Sequence, residues 1–315
     1  MFRFKLNILT YILTYYPPTM LLEDFKSLGN YYRIRNNNVF VIDIGNHDKT
    51  IVFISGYPLI SYDFHKIILQ LSEFYRIIIH DHFGFGLTEL PNSYCFSIID
   101  QADVCIEVWK KLKLKSFQII ATNHGGKVAK EILYRNNAKL LPFKITAITL
   151  NNSCNNNYFI KLKTISNLIN NDKLSKYKEV LKNYSRKTFF DNNDLEKKLD
   201  EKVVRIWQKF NEMEGQKETL VLSSFNDETY LYWHRWVKAL KESKIPIKIF
   251  WQKDDVENMK DLLLNLATTQ PKNVEIIENK KCLVIENNPL RWLLMILKSV
   301  DITTYNYLKT VFVNY

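Results

Sequence analysis

No histidine follows His234, and cysteine, glycine and proline are all scarce, at 4, 8 and 8 among 315 residues. Each shortage narrows the field. The four cysteines, Cys95, Cys105, Cys154 and Cys282, lie far apart and form no CxxC pair, which argues against a finger-type structural zinc. They are also too few for the dense disulfide framework of a small secreted domain. So little glycine and proline does not suit a linker-dominated or low-complexity chain. Apart from the N-terminal segment, no apolar run approaches the roughly 20 residues that cross a bilayer as a helix.

What is present is core-forming material. Hydrophobic residues make up 46% of the chain and aromatics 14%, enough for one large α/β domain with an insertion or for two small domains. The 44 Lys+Arg against 33 Asp+Glu leave a net charge of +11. The basic residues are scattered, except in 161–202 and at Lys280-Lys281, and no zinc-finger, RRM or helix-turn-helix signature accompanies them. A bias towards lysine and asparagine accounts for that charge. Nucleic acid is therefore not an expected partner, and an anionic membrane surface fits a basic face better.

The first 24 residues pair a basic start, Met1–Lys5, with a largely apolar Leu6–Tyr16 before Pro17-Pro18. A signal sequence, an anchor or an amphipathic helix on the domain or a membrane surface would all have this pattern.

Beyond it, apolar β-branched runs recur at Val39–Ile44, Thr50–Ile54, Tyr75–His80, Phe117–Thr122, Ile145–Leu150, Ile245–Trp251 and Val274–Glu278. Such short runs suit buried parallel strands. Tyr62–Ser72, Ile98–Leu112, Lys127–Asn136, Met259–Thr268 and Pro289–Val300 have helical spacing between them, with Pro289 in a first helical turn. The alternation predicts a mostly parallel, doubly wound α/β sheet. The stretch 152–243 breaks the rhythm and predicts helices at 158–170, 173–182, 194–213, 216–224 and 227–242. The expected division is a core of 25–151 and 244–315, with 152–243 as a helical cap inserted after the sixth sheet strand.

Three turns follow strands in order: Ser55-Gly56-Tyr57-Pro58, Asp81-His82-Phe83-Gly84-Phe85-Gly86 and Ala121-Thr122-Asn123-His124-Gly125-Gly126-Lys127-Val128-Ala129. Each is weak alone, but the ordered set resembles the α/β-hydrolase fold, in particular the branch of epoxide hydrolases and haloalkane dehalogenases. The first resembles an HGxP-type turn that aims a backbone N–H, here that of Tyr57, at a developing oxyanion. The third resembles the nucleophile elbow, with the His124 N–H as the second donor.

The chain is also similar to the mesoderm-specific transcript (MEST) family of hydrolase-fold proteins, through Pro58–Lys66, Asp81–Pro91, Lys130–Arg135 and Arg235–Leu240 leading into Ile245–Ile247. That likeness implies one α/β-hydrolase domain with a helical cap and a tie to endoplasmic-reticulum membranes, while the sequence itself leaves a cytoplasmic location open.

The departures fall on the reacting residues. The family pattern places a carboxylate nucleophile where Asn123 stands, an acid where Asp255 stands, and a histidine base where counting back from Pro289 reaches Cys282. The alternative acid site after Leu150 holds Asn151 and Asn152. An amide oxygen is a far poorer nucleophile than a carboxylate, and without the histidine nothing activates the hydrolytic water. The expectation is a degenerate site that binds a small ligand under the cap, a partner or a membrane surface, without a cofactor or metal. The alternative is an active ester or epoxide hydrolase with a rearranged site, using Cys282 with His124 and Asp255, or a deamidated Asn123. His80 and His82 flank Asp81 at a spacing compatible with metal ligands, but no second cluster in the sequence supports them. Asp81 is expected to tie down its own loop through backbone N–H groups.

Overall fold

The structure is a computed structural model that describes residues 20–56, 60–92, 94–151, 218–252, 274–279, 289–302 and 305–306. Eight strands, β1 (Gly29–Ile34), β2 (Asn37–Ile44), β3 (Thr50–Ile54), β4 (Arg76–His80), β5 (Ser116–Thr122), β6 (Lys144–Asn151), β7 (Ile247–Gln252) and β8 (Val274–Asn279), form one sheet of order β1-β2-β4-β3-β5-β6-β7-β8. β2 pairs antiparallel to β1 and β4, whereas β3 through β8 are linked by parallel ladders. Burial explains the sequence pattern at the centre. All of Thr50–Ile54 and the stretch Ile77–His80 are buried, as strands covered on both faces require.

The helices are α1 (Leu22–Ser27), α2 (His65–Ser72), α3 (Ile98–Lys111), α4 (Gly125–Asn137), α5 (Glu218–Lys241) and α6 (Pro289–Val300), with a 3-10 turn at Ser61–Phe64 leading into α2. Each expected strand is found. The additional β1 escaped the sequence pattern because its residues are mostly half-buried or exposed, and its hairpin turn uses Arg35 and Asn36 at positive φ instead of glycine. α2 is shorter than expected, since its first turn is 3-10. Pro289 opens α6, as anticipated. Where two helices were expected at 216–224 and 227–242, one helix of 24 residues runs from Glu218 to Lys241. Asn226 and Asp227 have low helix propensity, but propensity is a weak prior that tertiary contacts override.

Those contacts are strong ones. The carboxylate of Glu228 accepts from the backbone N–H groups of Ile98 and Ile99 and from the Ser97 hydroxyl, so α5 caps the N-terminus of α3. Glu131, fully buried on α4, accepts from the Trp236 indole at 3.0 Å, from Arg135 Nε at 2.9 Å and from the Arg235 guanidinium. Replacing Glu131 by alanine removes these charge-assisted bonds and leaves the indole N–H buried without an acceptor. The expected cost is about 3 kcal/mol, read as a lower midpoint in a urea melt. A loss within about 0.5 kcal/mol, the size of an ordinary surface substitution, would show that this carboxylate does not hold α5 to the core.

β6 ends at Asn151, and the next described element in the chain is α5. Residues 152–217, which carry most of the expected cap, lie outside the described residues, as does the helix expected at Met259–Thr268. Among the described residues no helix is long and apolar enough to cross a membrane.

Candidate functional site

From β3 the chain crosses to β4 on one side of the sheet, and from β5 it crosses to β6 on the other. The carboxyl ends of β3 and β5 therefore meet at a topological switch point, where open α/β sheets form their binding crevices. Ser55-Gly56 follows β3 at this point, and Asn123-His124 follows β5.

Asn123 has φ of 50°, in the left-handed region. Its N–H donates to Asn151 O at 3.1 Å, carrying the parallel ladder one residue past β5, and its carbonyl accepts from Gly126 N at 3.0 Å as α4 begins. The strand thus turns into the helix at a single residue, the geometry of a nucleophile elbow. Asparagine tolerates this conformation better than most residues that carry a Cβ. His124 is the N-cap residue of α4, so its backbone N–H lies at the positive end of the helix.

The elbow sits hard against the end of β3. A Cβ on Gly56 would lie 1.9 Å from Gly125 N, and one on Gly125 would lie 2.4 Å from Ile54 O and 2.7 Å from Ser55 O. Only two glycines admit this approach of backbone to backbone. The loop after β4 is pinned beside it by Asp81, which accepts from Ser61 N at 2.7 Å, Ser61 Oγ at 2.8 Å and Leu87 N at 3.0 Å. Asp81 is therefore a loop anchor, as its position suggested.

Of the sequence-derived site residues, Asn123 and His124 come together with Ser55-Gly56 at the switch point. Tyr57, Asp255 and Cys282 lie outside the described residues. Asn151, at the end of β6, is buried, with its side-chain nitrogen lacking a hydrogen-bond partner among the described residues. The fold adds a residue that sequence spacing did not reveal. Cys105, on the buried face of α3, reaches His80 at the end of β4, with Sγ 3.4 Å from Nε2. His82 stands alongside, with the two imidazole centroids 5.5 Å apart, and its Nε2–H donates to Ser55 O at 2.9 Å. The only sequence hint was the apolar periodicity of 98–112, which marks a buried face without naming what it meets.

Burial keeps these imidazoles neutral. Desolvation, then the neighbouring His82, pushes His80 down to about 3. Desolvation pushes His82 down to about 4 against the help of the Ser55 carbonyl. Burial, then the charge of Lys127, holds His124 well below the usual imidazole range. Asp81 is pushed up to about 6, because desolvation outweighs the hydrogen bonds from Leu87 and Ser61. Below about pH 6.5 the unfolded chain protonates these three histidines while the native one does not, so the stability they contribute is present above that pH and lost below it. Asp81 acts in the opposite sense, since from about pH 6 down to about 4 the native state binds its proton first and gains stability. Three bases outweigh one acid. The melting temperature is expected to fall between about pH 7 and pH 5, and a flat or rising profile by circular dichroism would contradict this assignment.

Known proteins share both the sequence signature and the shape. The alpha/beta hydrolase fold family signature matches residues 49–289. The mesoderm-specific transcript homolog protein of Bos taurus is 33% identical over 128 residues, which is 38% of this chain and 38% of that protein. The human homolog is 32% identical over the same share, so the match spans well under half the length of these relatives. Among solved structures, the epoxide hydrolase CorEH superposes with a TM-score of 0.61 at 18% identity, covering 86% of this chain and 97% of that one. A haloalkane dehalogenase loop variant from Bradyrhizobium elkanii does so with a TM-score of 0.59 at 14% identity, covering 86% of this chain and 98% of that one. These two likenesses are of fold. With a strand-to-helix elbow at the switch point of a sheet in this order, and a signature that spans most of the sequence, the chain belongs to the alpha/beta hydrolase fold family.

Proposed function

We propose that this protein is a MEST-like member of the family that has lost hydrolase chemistry and acts by binding, either a small polar or ester-like ligand in the crevice at the elbow, a protein partner or a membrane surface. The observation that carries the reading is Asn123. A carboxamide occupies the φ of 50° elbow position while the surrounding scaffold, with the Gly56–Gly125 approach and the α4 N-terminus, is kept. A neutral amide has neither the charge of a carboxylate nor a proton that a base removes to make an oxyanion nucleophile at ordinary pH. Backbone donors at the end of a helix still favour an oxygen-rich ligand there without turning it over. Cys282 at the base position supports the same reading from the sequence.

The test is direct. Purified protein, shown to be folded by its melt, is incubated with short-chain esters and an epoxide and followed by product assay and intact-mass spectrometry. The expected result is no turnover above buffer and no covalent adduct. Turnover, or an adduct mapped to residue 123 or 282, overturns the proposal and makes the protein an enzyme with a rearranged site.

A further inference from the structure

We propose that His80, His82 and Cys105 form a buried site for a single soft, monovalent d10 cation, Cu(I), directly behind the elbow. One ligand atom from each residue lies within 4.8 Å of the other two, and all three residues are buried. Their convergence is made by the fold. His80 ends β4, His82 follows it in the loop, and Cys105 comes from α3, in the segment that separates β4 from β5.

Hydrogen bonding leaves the donors ready for a metal. A carbonyl oxygen only accepts, so the contact of His82 Nε2 with Ser55 O fixes the proton on Nε2 and leaves Nδ1 with a bare lone pair. That Nδ1 is buried with no hydrogen-bond partner among the described residues, as is Nδ1 of His80. Buried nitrogens are almost always satisfied, and a bare lone pair on His82 within such a cluster calls for an explanation. A ligating histidine characteristically donates its other ring N–H to a backbone carbonyl, the arrangement His82 already has. The competing account, a Cys105 S–H donating to His80 Nε2 within an ordinary core, explains the 3.4 Å contact but leaves the lone pair of His82 Nδ1 without a partner among the described residues.

Charge and coordination number select the ion. Thiolate with two imidazoles is a soft donor set that suits Cu(I), and three donors match its trigonal preference. Bonds of about 2.0–2.3 Å hold such donors about 3.5–4 Å apart, so small side-chain shifts close the site. Binding forms one Cu–S and two Cu–N bonds and releases the thiol proton of Cys105 to solvent, with no change of oxidation state. The product, thiolate plus Cu(I) plus two neutral rings, carries no net charge, as a buried site favours. Zn(II) in the same place leaves one net positive charge in the core, and a tetrahedral site needs a fourth ligand that the cluster of described residues does not supply. Because His82 is bonded to Ser55, next to the Gly56–Gly125 contact, the ion would brace the turn that forms one wall of the crevice.

The experiment uses the full chain with Cys95, Cys154 and Cys282 replaced by serine, so that Cys105 is the remaining thiol. Cu(I) is supplied anaerobically and partitioned against a chromogenic Cu(I) chelator, with Zn(II) titrated in parallel. One equivalent is expected to bind, with affinity at least about 100-fold weaker when Cys105→Ser is added. Copper-edge X-ray absorption of the loaded protein is expected to show one sulfur and two nitrogens, which keeps the proposal testable should Cys105→Ser fail to fold. No retained Cu(I), a shell without sulfur, or tighter binding of Zn(II) than of Cu(I) overturns it.

Discussion

Gly125→Ala is expected to lower stability by more than about 3 kcal/mol, and Gly56→Ala to do the same. The reason is that the obstructing atoms are backbone. The alanine Cβ at 125 meets Ile54 O at 2.4 Å and Ser55 O at 2.7 Å, and at 56 it meets Gly125 N at 1.9 Å and His124 C at 2.6 Å. A flexible side chain can rotate away from such a clash. Here β3 is fixed by parallel ladders to β4 and β5, and the elbow is fixed by α4, so relief requires moving a strand or a helix. The measurement is a thermal melt of each variant, with Tm lower by roughly 4 °C or more. Leu140→Ala, at a residue 67% exposed, serves as the control and should change stability by no more than about 0.5 kcal/mol. If either glycine variant melts with wild-type stability, the tight approach of elbow to β3 is not a feature of the folded protein.

The second large effect concerns chemistry. Asn123→Asp alone is expected to restore a nucleophile without restoring turnover. Its carboxylate attacks an epoxide carbon, the ring C–O bond breaks, the ring oxygen takes up a proton, and an ester to residue 123 remains. On the proposed reading, in which Cys282 stands at the base position, no histidine activates water against that ester, so the adduct should persist in the intact mass. Adding Cys282→His is expected to clear it and give hydrolysis at least about 100-fold above wild type, the lower range for a positioned general base. A wild-type rate equal to that of the double variant would mean that the present residues already catalyse. No adduct in Asn123→Asp and no turnover in the double variant would mean that the crevice no longer admits such substrates, and that loss of function extends beyond two side chains.

The two predictions separate what the elbow is from what it carries. Stability at Gly56 and Gly125 depends on backbone packing, which the identity of residue 123 hardly touches. Reactivity depends on the atoms of residue 123 and on a base supplied from elsewhere. A protein can keep the first while losing the second, because a side-chain change from carboxylate to carboxamide conserves shape and removes charge.

Much of this was legible in the residues. Short β-branched runs alternating with helical periodicity specified the doubly wound sheet, because a strand covered on both faces must be apolar throughout, as Thr50–Ile54 is. The order of three turns after three strands located the elbow at Asn123, since local chain direction there is set by local sequence. The missing histidine and the carboxamide are one-dimensional facts and needed no coordinates. The helix spanning Asn226 and Asp227 was not legible, because its continuity rests on Glu228 and Glu131 meeting partners about a hundred positions away in the chain. Nor was the jammed contact of Gly56 with Gly125, in which each glycine is ordinary in its own segment. Cys105 beside His80 and His82 belongs to the same class. Sequence determined which elements form and which reactive groups are absent, through periodicity and residue type. Only the tertiary structure decided which distant groups share a site, because the sheet order that brings β3, β4, β5 and α3 together is a property of packing.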